Sequence, residues 1–258
     1  MKEITLLDLL RSGVHFGHQT SRWHPKMESF IFTQRNGISI IDLEQTKARL
    51  LAAAEFAKQV TSRGGKVLFV GTKRQAKPIL LKYAEQTGMP FVVDRWLGGT
   101  FTNFATIQRL IDDFRRLKEE RGSGVLTKYT KKEQSMFQRE IERLEKLVGG
   151  ISLLTKLPEA IFVVDLKQEK TAVREAQKRG VPIIAMVDTN VNPEGVTYPI
   201  PANDDATKSI DFVTDVLSQA IVEGQAEYQR GVEEHATLAA AAAAAVAVPT
   251  GATDEAPA

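Results

Sequence analysis

Apolar and polar positions follow two rhythms along this chain. Residues 4–12 place Leu6, Leu7, Leu9 and Leu10 at helical spacing, which predicts a short amphipathic helix with these leucines toward the core. A polar loop from His15 to Lys26 follows, then two short apolar runs, Phe30–Phe32 and Ile38–Ile41. Asn36-Gly37 lies between them and supplies the positive φ of a tight hairpin turn. Asp42 suits the cap of an Ala/Leu-rich helix ending near Ser62. From there short, wholly apolar runs alternate with helical stretches. The runs are Lys66–Gly71, Phe91–Asp94, Ala160–Asp165, Pro182–Asp188 and a short Tyr198–Pro201. The helices are 73–86 closed by Gly88, 169–179 closed by Gly180, and 206–224. Strands apolar on both faces and joined by helices predict a parallel sheet covered on both sides, an open doubly wound α/β fold.

One segment departs from this rhythm. Between Gly98-Gly99 and Gly149-Gly150, Ile107, Leu110, Phe114 and Leu117 recur at three- and four-residue steps, as do Phe137, Ile141, Leu144 and Val148. Two helices with one apolar stripe each can bury both by antiparallel pairing as a projecting hairpin, or can pack separately on the sheet; the glycine pairs favour the hairpin. The expected division is an α/β domain over 1–104 and 150–228, a helical insertion over 105–149, and a tail over 229–258. That tail is alanine-rich and then rich in Pro, Gly and acids, and is expected to be disordered.

Charge adds one feature. The chain of 258 residues carries a formal net charge of +2. From Ala226 onward there is one basic residue against five acids, which leaves residues 1–225 with 33 cations against 27 carboxylates, a net of +6. A basic body permits a polyanionic partner. The absence of cysteine excludes a disulfide framework, thiolate metal ligation and a Cys nucleophile. Neither a signal peptide nor an apolar stretch of about eighteen residues is apparent, so the expectation is a soluble, cytoplasmic protein without a membrane partner.

Candidate chemistry is scattered. Gly71-Thr-Lys73-Arg74-Gln75 joins a strand to a helix at the edge where doubly wound folds bind phosphate, yet it is neither a Walker A loop nor a dinucleotide fingerprint. Asp94, Asp165 and Asp188 end three strands, with Asp204-Asp205 nearby. Together with His18, the set Asp188, Asp204 and Asp205 is a candidate site for zinc or magnesium. No Gly-x-Ser-x-Gly elbow is present and no catalytic set stands out. Arg22-Trp23-His24-Pro25-Lys26 with Arg35, and Arg95-Trp96-Leu-Gly-Gly-Thr100-Phe-Thr-Asn103, interleave cations, aromatics and neutral hydrogen-bonding groups. That mixture suits unpaired bases and ribose-phosphate, although a tryptophan in such a turn can equally cap a core.

Several long blocks carry a resemblance. Leu6–His18 with Trp23-His-Pro25-Lys26-Met27, Phe69–Gln75, Arg95–Asn103, and Pro158–Asp165 running on to Glu175 and Gly180-Val-Pro182 resemble, in order, the bacterial ribosomal protein S-two family, protein number two of the small ribosomal subunit. The likeness spans residues 3 to about 228. It implies a flavodoxin-like α/β domain with a protruding coiled-coil hairpin and a non-enzymatic constituent of the small subunit. The implied partners are its rRNA near the head–body junction, the large mRNA-capturing ribosomal protein S-one, and other small-subunit proteins. No cofactor is required by the resemblance, while a bound zinc or magnesium is compatible with it. In and beside the matching blocks, Arg22, Trp23, Lys26, Arg35, Lys73, Arg74, Arg95, Thr100 and Asn103 are taken as the candidate rRNA contacts. The competing expectations are a flavodoxin-like phosphate- or nucleotide-binding enzyme using the Gly71–Lys73 turn, and a free-standing adaptor that docks partners on the hairpin.

Overall fold

Thr5 opens the first helix as a cap whose side chain and backbone exchange hydrogen bonds with Asp8, and in the computed structural model, which describes residues 4–246, that helix is α1 (Leu6–Arg11). Three strands follow, β1 (Phe16–Gln19), β2 (Ile31–Arg35) and β3 (Ile38–Ile41), forming an antiparallel sheet in the order β1-β3-β2. Asn36 and Gly37 have φ of 52° and 75°, the paired positive values that an Asn-Gly hairpin requires. Asp42 caps α2 (Leu43–Thr61), accepting from the Glu44 amide at 2.9 Å.

The remaining elements are β4 (Val67–Val70), α3 (Lys77–Thr87), β5 (Phe91–Val92), α4 (Phe104–Gly122), α5 (Lys131–Val148), β6 (Ala160–Val163), α6 (Lys170–Arg179), β7 (Ile183–Val187), β8 (Tyr198–Pro201) and α7 (Thr207–Val246). The five later strands pair in parallel in the order β5-β4-β6-β7-β8, which gives a mixed α/β fold with one parallel and one antiparallel sheet. Side chains alternate between the faces of the parallel sheet, as the period of two demands. Val67, Phe69, Phe162 and Ile184 pack under α2, α3 and α7; Leu68, Val70, Ile161 and Val163 face α4, α5 and α6.

Three expectations need correction. The leucines of α1 do not share a core: Leu9 is fully buried, whereas Leu6, Leu7 and Leu10 are 42%, 62% and 48% exposed, because one turn of helix offers the core a single position. The helical insertion is not a separate module. Ile107, Ile111, Phe114, Ile141, Leu144 and Val148 form one cluster with Leu68 and Val163 of the sheet, so its base belongs to the main core. We therefore expect Phe114→Ala to lower global stability by about 3–5 kcal/mol in a single urea transition; a separate early transition for the insertion would contradict a shared core. Finally, residues 229–246 are not a disordered tail but continue α7, since a run of alanine, the strongest helix former, propagates a helix already anchored upstream. Residues 247–258, the rest of that expected tail, lie outside the described residues.

The antiparallel sheet sits over the carboxyl edge of the parallel one and is fixed there by distant hydrogen bonds. The His18 amide donates to Thr189 Oγ1 at 2.9 Å, the His24 amide to the Thr189 carbonyl at 2.7 Å, and the Asn203 amide to the Val14 carbonyl at 3.0 Å. Gly17 makes this approach possible, because a Cβ there would lie 2.6 Å from Thr189 Cγ2 and 2.9 Å from the Ser39 carbonyl oxygen.

Candidate nucleic-acid interface

The turn after β4 points Lys73 inward. Its Nζ lies 2.8 Å from Asp204 Oδ1, 2.6 Å from Asp205 Oδ1 and 3.4 Å from Asp165 Oδ2, and its side chain is 13% exposed. Burial opposes the ammonium, but the hydrogen bonds and attraction of Asp204, Asp205 and Asp165 outweigh it and raise the Lys73 pKa. Asp204 is pushed up to about 7 by burial and by the neighbouring Asp188 and Asp165, against the pull of Lys73. Asp165 adopts a left-handed φ of 69°, and its Oδ1 accepts from the Lys167 and Gln168 amides at 2.9 and 3.0 Å, which offsets the strain and holds its second oxygen toward Lys73.

His18 reaches the same cluster from the antiparallel sheet. Its Nδ1 is 3.0 Å from Asp188 Oδ1 and its Nε2 3.3 Å from Asp205 Oδ2. The hydrogen bond to Asp188, with attraction from the three aspartates, raises the imidazole pKa against burial. The four residues expected to hold zinc or magnesium are thus together, but both imidazole nitrogens face carboxylates and the Lys73 ammonium fills the space between the acids. Among the described residues no group of three or more His, Asp or Glu is arranged to hold a metal ion. As arranged here, the donor set does not fit such an ion: the positive charge that the aspartates need is already supplied by Lys73 and His18.

The same geometry removes Lys73 from the candidate RNA contacts and from service as a phosphate ligand. Thr72 is likewise committed: its amide and hydroxyl donate to Glu169 Oε1 at 2.8 and 2.5 Å. Thr100 must also be corrected. It is buried, and its hydroxyl donates to the Leu97 carbonyl at 2.6 Å.

Glu175, which sequence reasoning left without a role, organises the loop in which Thr100 lies. Its Oε1 accepts from the Gly99 amide at 2.7 Å and from Trp96 Nε1 at 3.2 Å. Its Oε2 accepts from the amides of Phe101 and Thr102 and from the Thr102 hydroxyl at 2.9, 3.1 and 3.1 Å. Burial alone would raise this carboxyl, but the amides of Gly99, Thr102 and Phe101 and the Trp96 indole hold it below the usual carboxylate range. Trp96 is accordingly a core residue packed edge-on against Phe101 at 5.0 Å.

The other candidates remain at the surface. Arg22, Lys26, Arg35, Arg74 and Arg95 are exposed and Trp23 is half-buried; Lys26 pairs with Glu194. Asn103 is exposed at the cap position of α4, and its side chain makes no capping hydrogen bond. What these exposed positions offer is a set of cations and amides, not a reacting group.

The family model described as Ribosomal protein S2 matches residues 9–224. The chain is 51% identical over 237 residues to the small ribosomal subunit protein uS2 of Salinibacter ruber, covering 92% of this chain and 74% of the relative. It is 48% identical over 225 residues to the uS2 protein of Fusobacterium nucleatum, covering 87% and 91% respectively. To that of Acidothermus cellulolyticus it is 50% identical over 228 residues, covering 87% and 82%. A single family thus spans both sheets, the helical insertion and the first half of α7, and the chain belongs to the ribosomal protein S2 family.

Proposed function

We propose that this protein is a structural, non-enzymatic constituent of the small ribosomal subunit that grips rRNA near the head–body junction and helps recruit ribosomal protein S-one in the cytoplasm. The observation that carries the reading, beside family membership, is that the Lys73 turn at the carboxyl edge is committed to ion pairs within the protein. The strand order 2-1-3-4-5 supports a flavodoxin-like description, and folds of that order take their ligands outside the carboxyl ends of the strands. Here Lys73 and the aspartates fill the part of that edge beside β4 among themselves, while other cations stay exposed. A scaffold used by nucleotide enzymes thereby becomes a carrier of surface charge. No described helix is long and apolar enough to cross a membrane, in keeping with a ribosomal partner set.

Arg22, Lys26, Arg35, Arg74 and Arg95 serve as phosphate contacts, with Trp23 and Asn103 beside them for base and ribose. The paired helices α4 and α5 support a coiled-coil arm over 105–149 whose base is continuous with the core of a body formed by 1–104 and 150–228. Tyr129 and Met136 near its tip, 45% and 60% exposed, offer an apolar surface to neighbouring proteins. Sucrose-gradient fractionation after a high-salt wash tests the proposal: one copy of the chain per small subunit is expected, and its absence from washed particles overturns it. The variant Arg22→Ala/Arg35→Ala/Arg95→Ala is expected to melt like the parent yet to lose about tenfold or more in subunit occupancy at moderate salt, since each phosphate contact contributes through counterion release. Unchanged occupancy would show that these cations are not the grip.

A further inference from the structure

We propose that the cleft between α6 and the segment after β7 is a pocket for one unpaired RNA nucleotide. The inference deepens the rRNA-binding reading and rests on it. The cleft encloses about 400 Å³, within the range of about 300–1,000 Å³ typical of small-ligand sites. Leu166, Val173, Val191 and Val196 give it an apolar lining. Lys167, Lys170 and Arg174 stand exposed along it, and none of the three makes an ion pair among the described residues. Asn190 also borders the cleft, and its Oδ1 is shut off from solvent with no hydrogen-bond partner.

These features fit a nucleotide in parts. The two lysines and the guanidinium suit a phosphate, and the Arg174 plane can also stack on a base. The apolar lining suits a base face. An orphaned buried acceptor costs about 1–3 kcal/mol, a cost removed when the Asn190 side chain turns toward the cleft and meets a ligand donor such as an exocyclic amine or a 2′-hydroxyl.

The position favours a strand over a free mononucleotide. Glu194, the one acid lining the cleft, is neutralised by Lys26 of the exposed Arg22–Lys26 loop. Phosphates following that loop therefore reach Lys167, Lys170 and Arg174 without crossing an uncompensated carboxylate. The cleft opens to solvent, and the Lys73 cluster that adjoins it through Asp165 is fully committed within the protein.

Fluorescence anisotropy of a labelled single-stranded RNA of about eight nucleotides, titrated with the full chain, tests the pocket. Lys170→Ala/Arg174→Ala is expected to keep the parental melting curve and to weaken binding about tenfold, with the log–log salt slope shallower by about 1.4 for two lost phosphate contacts. Asn190→Ala is expected to weaken binding about fivefold, the value of one hydrogen bond, with the slope unchanged. Wild-type binding that both variants reproduce in affinity and slope overturns the pocket and leaves the rRNA-binding reading standing. A wild-type chain that binds no RNA and is missing from washed subunits overturns that reading itself. Adenosine monophosphate is the second arm: it is expected to leave the RNA bound at concentrations of about 1 mM, whereas displacement at about 10 μM makes the occupant a free nucleotide and overturns the strand assignment. Photocrosslinking of 4-thiouridine RNA to the wild-type chain is expected within 166–177 or 190–196, and crosslinks confined to other segments count against the site.

Discussion

Glu175→Ala is expected to lower unfolding free energy by about 4 kcal/mol or more, which for a chain of this size moves Tm by roughly 10 °C. The substitution strips five donors of their acceptor at once: three backbone amides, the Trp96 indole and the Thr102 hydroxyl. Phe101 and Trp96 are buried, so water cannot simply replace the carboxylate at their N–H groups. Glu175→Gln retains one acceptor oxygen but turns an NH2 toward the remaining donors, and is expected to cost about half as much. The sign of the pH dependence follows from the lowered carboxyl. Its stabilisation is complete above the unfolded-state pKa and fades as pH falls through the lower folded value, so parent and Gln variant converge only in acid. Differential scanning calorimetry of both variants reads this directly. A loss below about 1 kcal/mol for Glu175→Ala would mean that the loop is held by its packing and not by this carboxylate.

Lys73→Met is the second large effect, and its deficit, like that of the Glu175 variants, should shrink in acid, here because Asp204 takes up a proton. Removing the ammonium leaves Asp165, Asp188 and Asp204 facing one another with the counter-charge of His18 alone, and breaking such a buried arrangement typically costs about 3–5 kcal/mol. Asp204 already titrates near pH 7 with Lys73 present. Between its unfolded pKa and that value the folded state holds a proton the unfolded state has lost, so stability declines as pH rises through the interval. His18, also raised, acts in the same direction: its stabilisation is full below the unfolded pKa and is lost as pH climbs through the folded one. Without Lys73 the Asp204 carboxyl rises further and the decline extends to higher pH. Urea unfolding at pH 8 should show the full deficit, and at pH 5.5 a much smaller one. Adding Asp204→Asn should recover most of the loss at pH 8. An equal deficit at both pH values would remove electrostatics as the cause.

How much of this was legible depended on whether the determining contact is local. The strands β4, β6 and β7 announce themselves because they are buried on both faces and need no partner information to be recognised. The Asn36-Gly37 turn and the Asp42 cap are likewise local chemistry. β1 carries a loop-like pattern because Phe16–Gln19 lacks an apolar run; its strand character comes from pairing with β3 and from the close approach of Gly17 to Thr189. Thr100 looked like a surface hydroxyl until the loop folded over Glu175, seventy-five positions later. Lys73 reads as an exposed cation for a similar reason, since its partners Asp165, Asp204 and Asp205 lie 92, 131 and 132 residues away in sequence and no local pattern marks them as its neighbours. The helix beyond 228 is hidden by its low apolar content, since it rests on the helix-forming tendency of alanine propagating from an anchored helix upstream. Exposed cations such as Arg22, Arg35 and Arg95 were legible as a class, because charge at a polar turn stays in water whatever the fold.

The hydrogen bonds joining His18 and His24 to Thr189, and Asn203 to Val14, also set a schedule for the nascent chain. β1 reaches the tunnel exit early, yet its anchor follows 171 residues behind the His18 amide. At roughly 5–20 residues per second, the amino-terminal sheet waits on the order of ten to thirty seconds with its apolar side chains unguarded. A protein built into the translation machinery is therefore itself a slow customer of it, completing its first strands only when almost the last strand has been delivered.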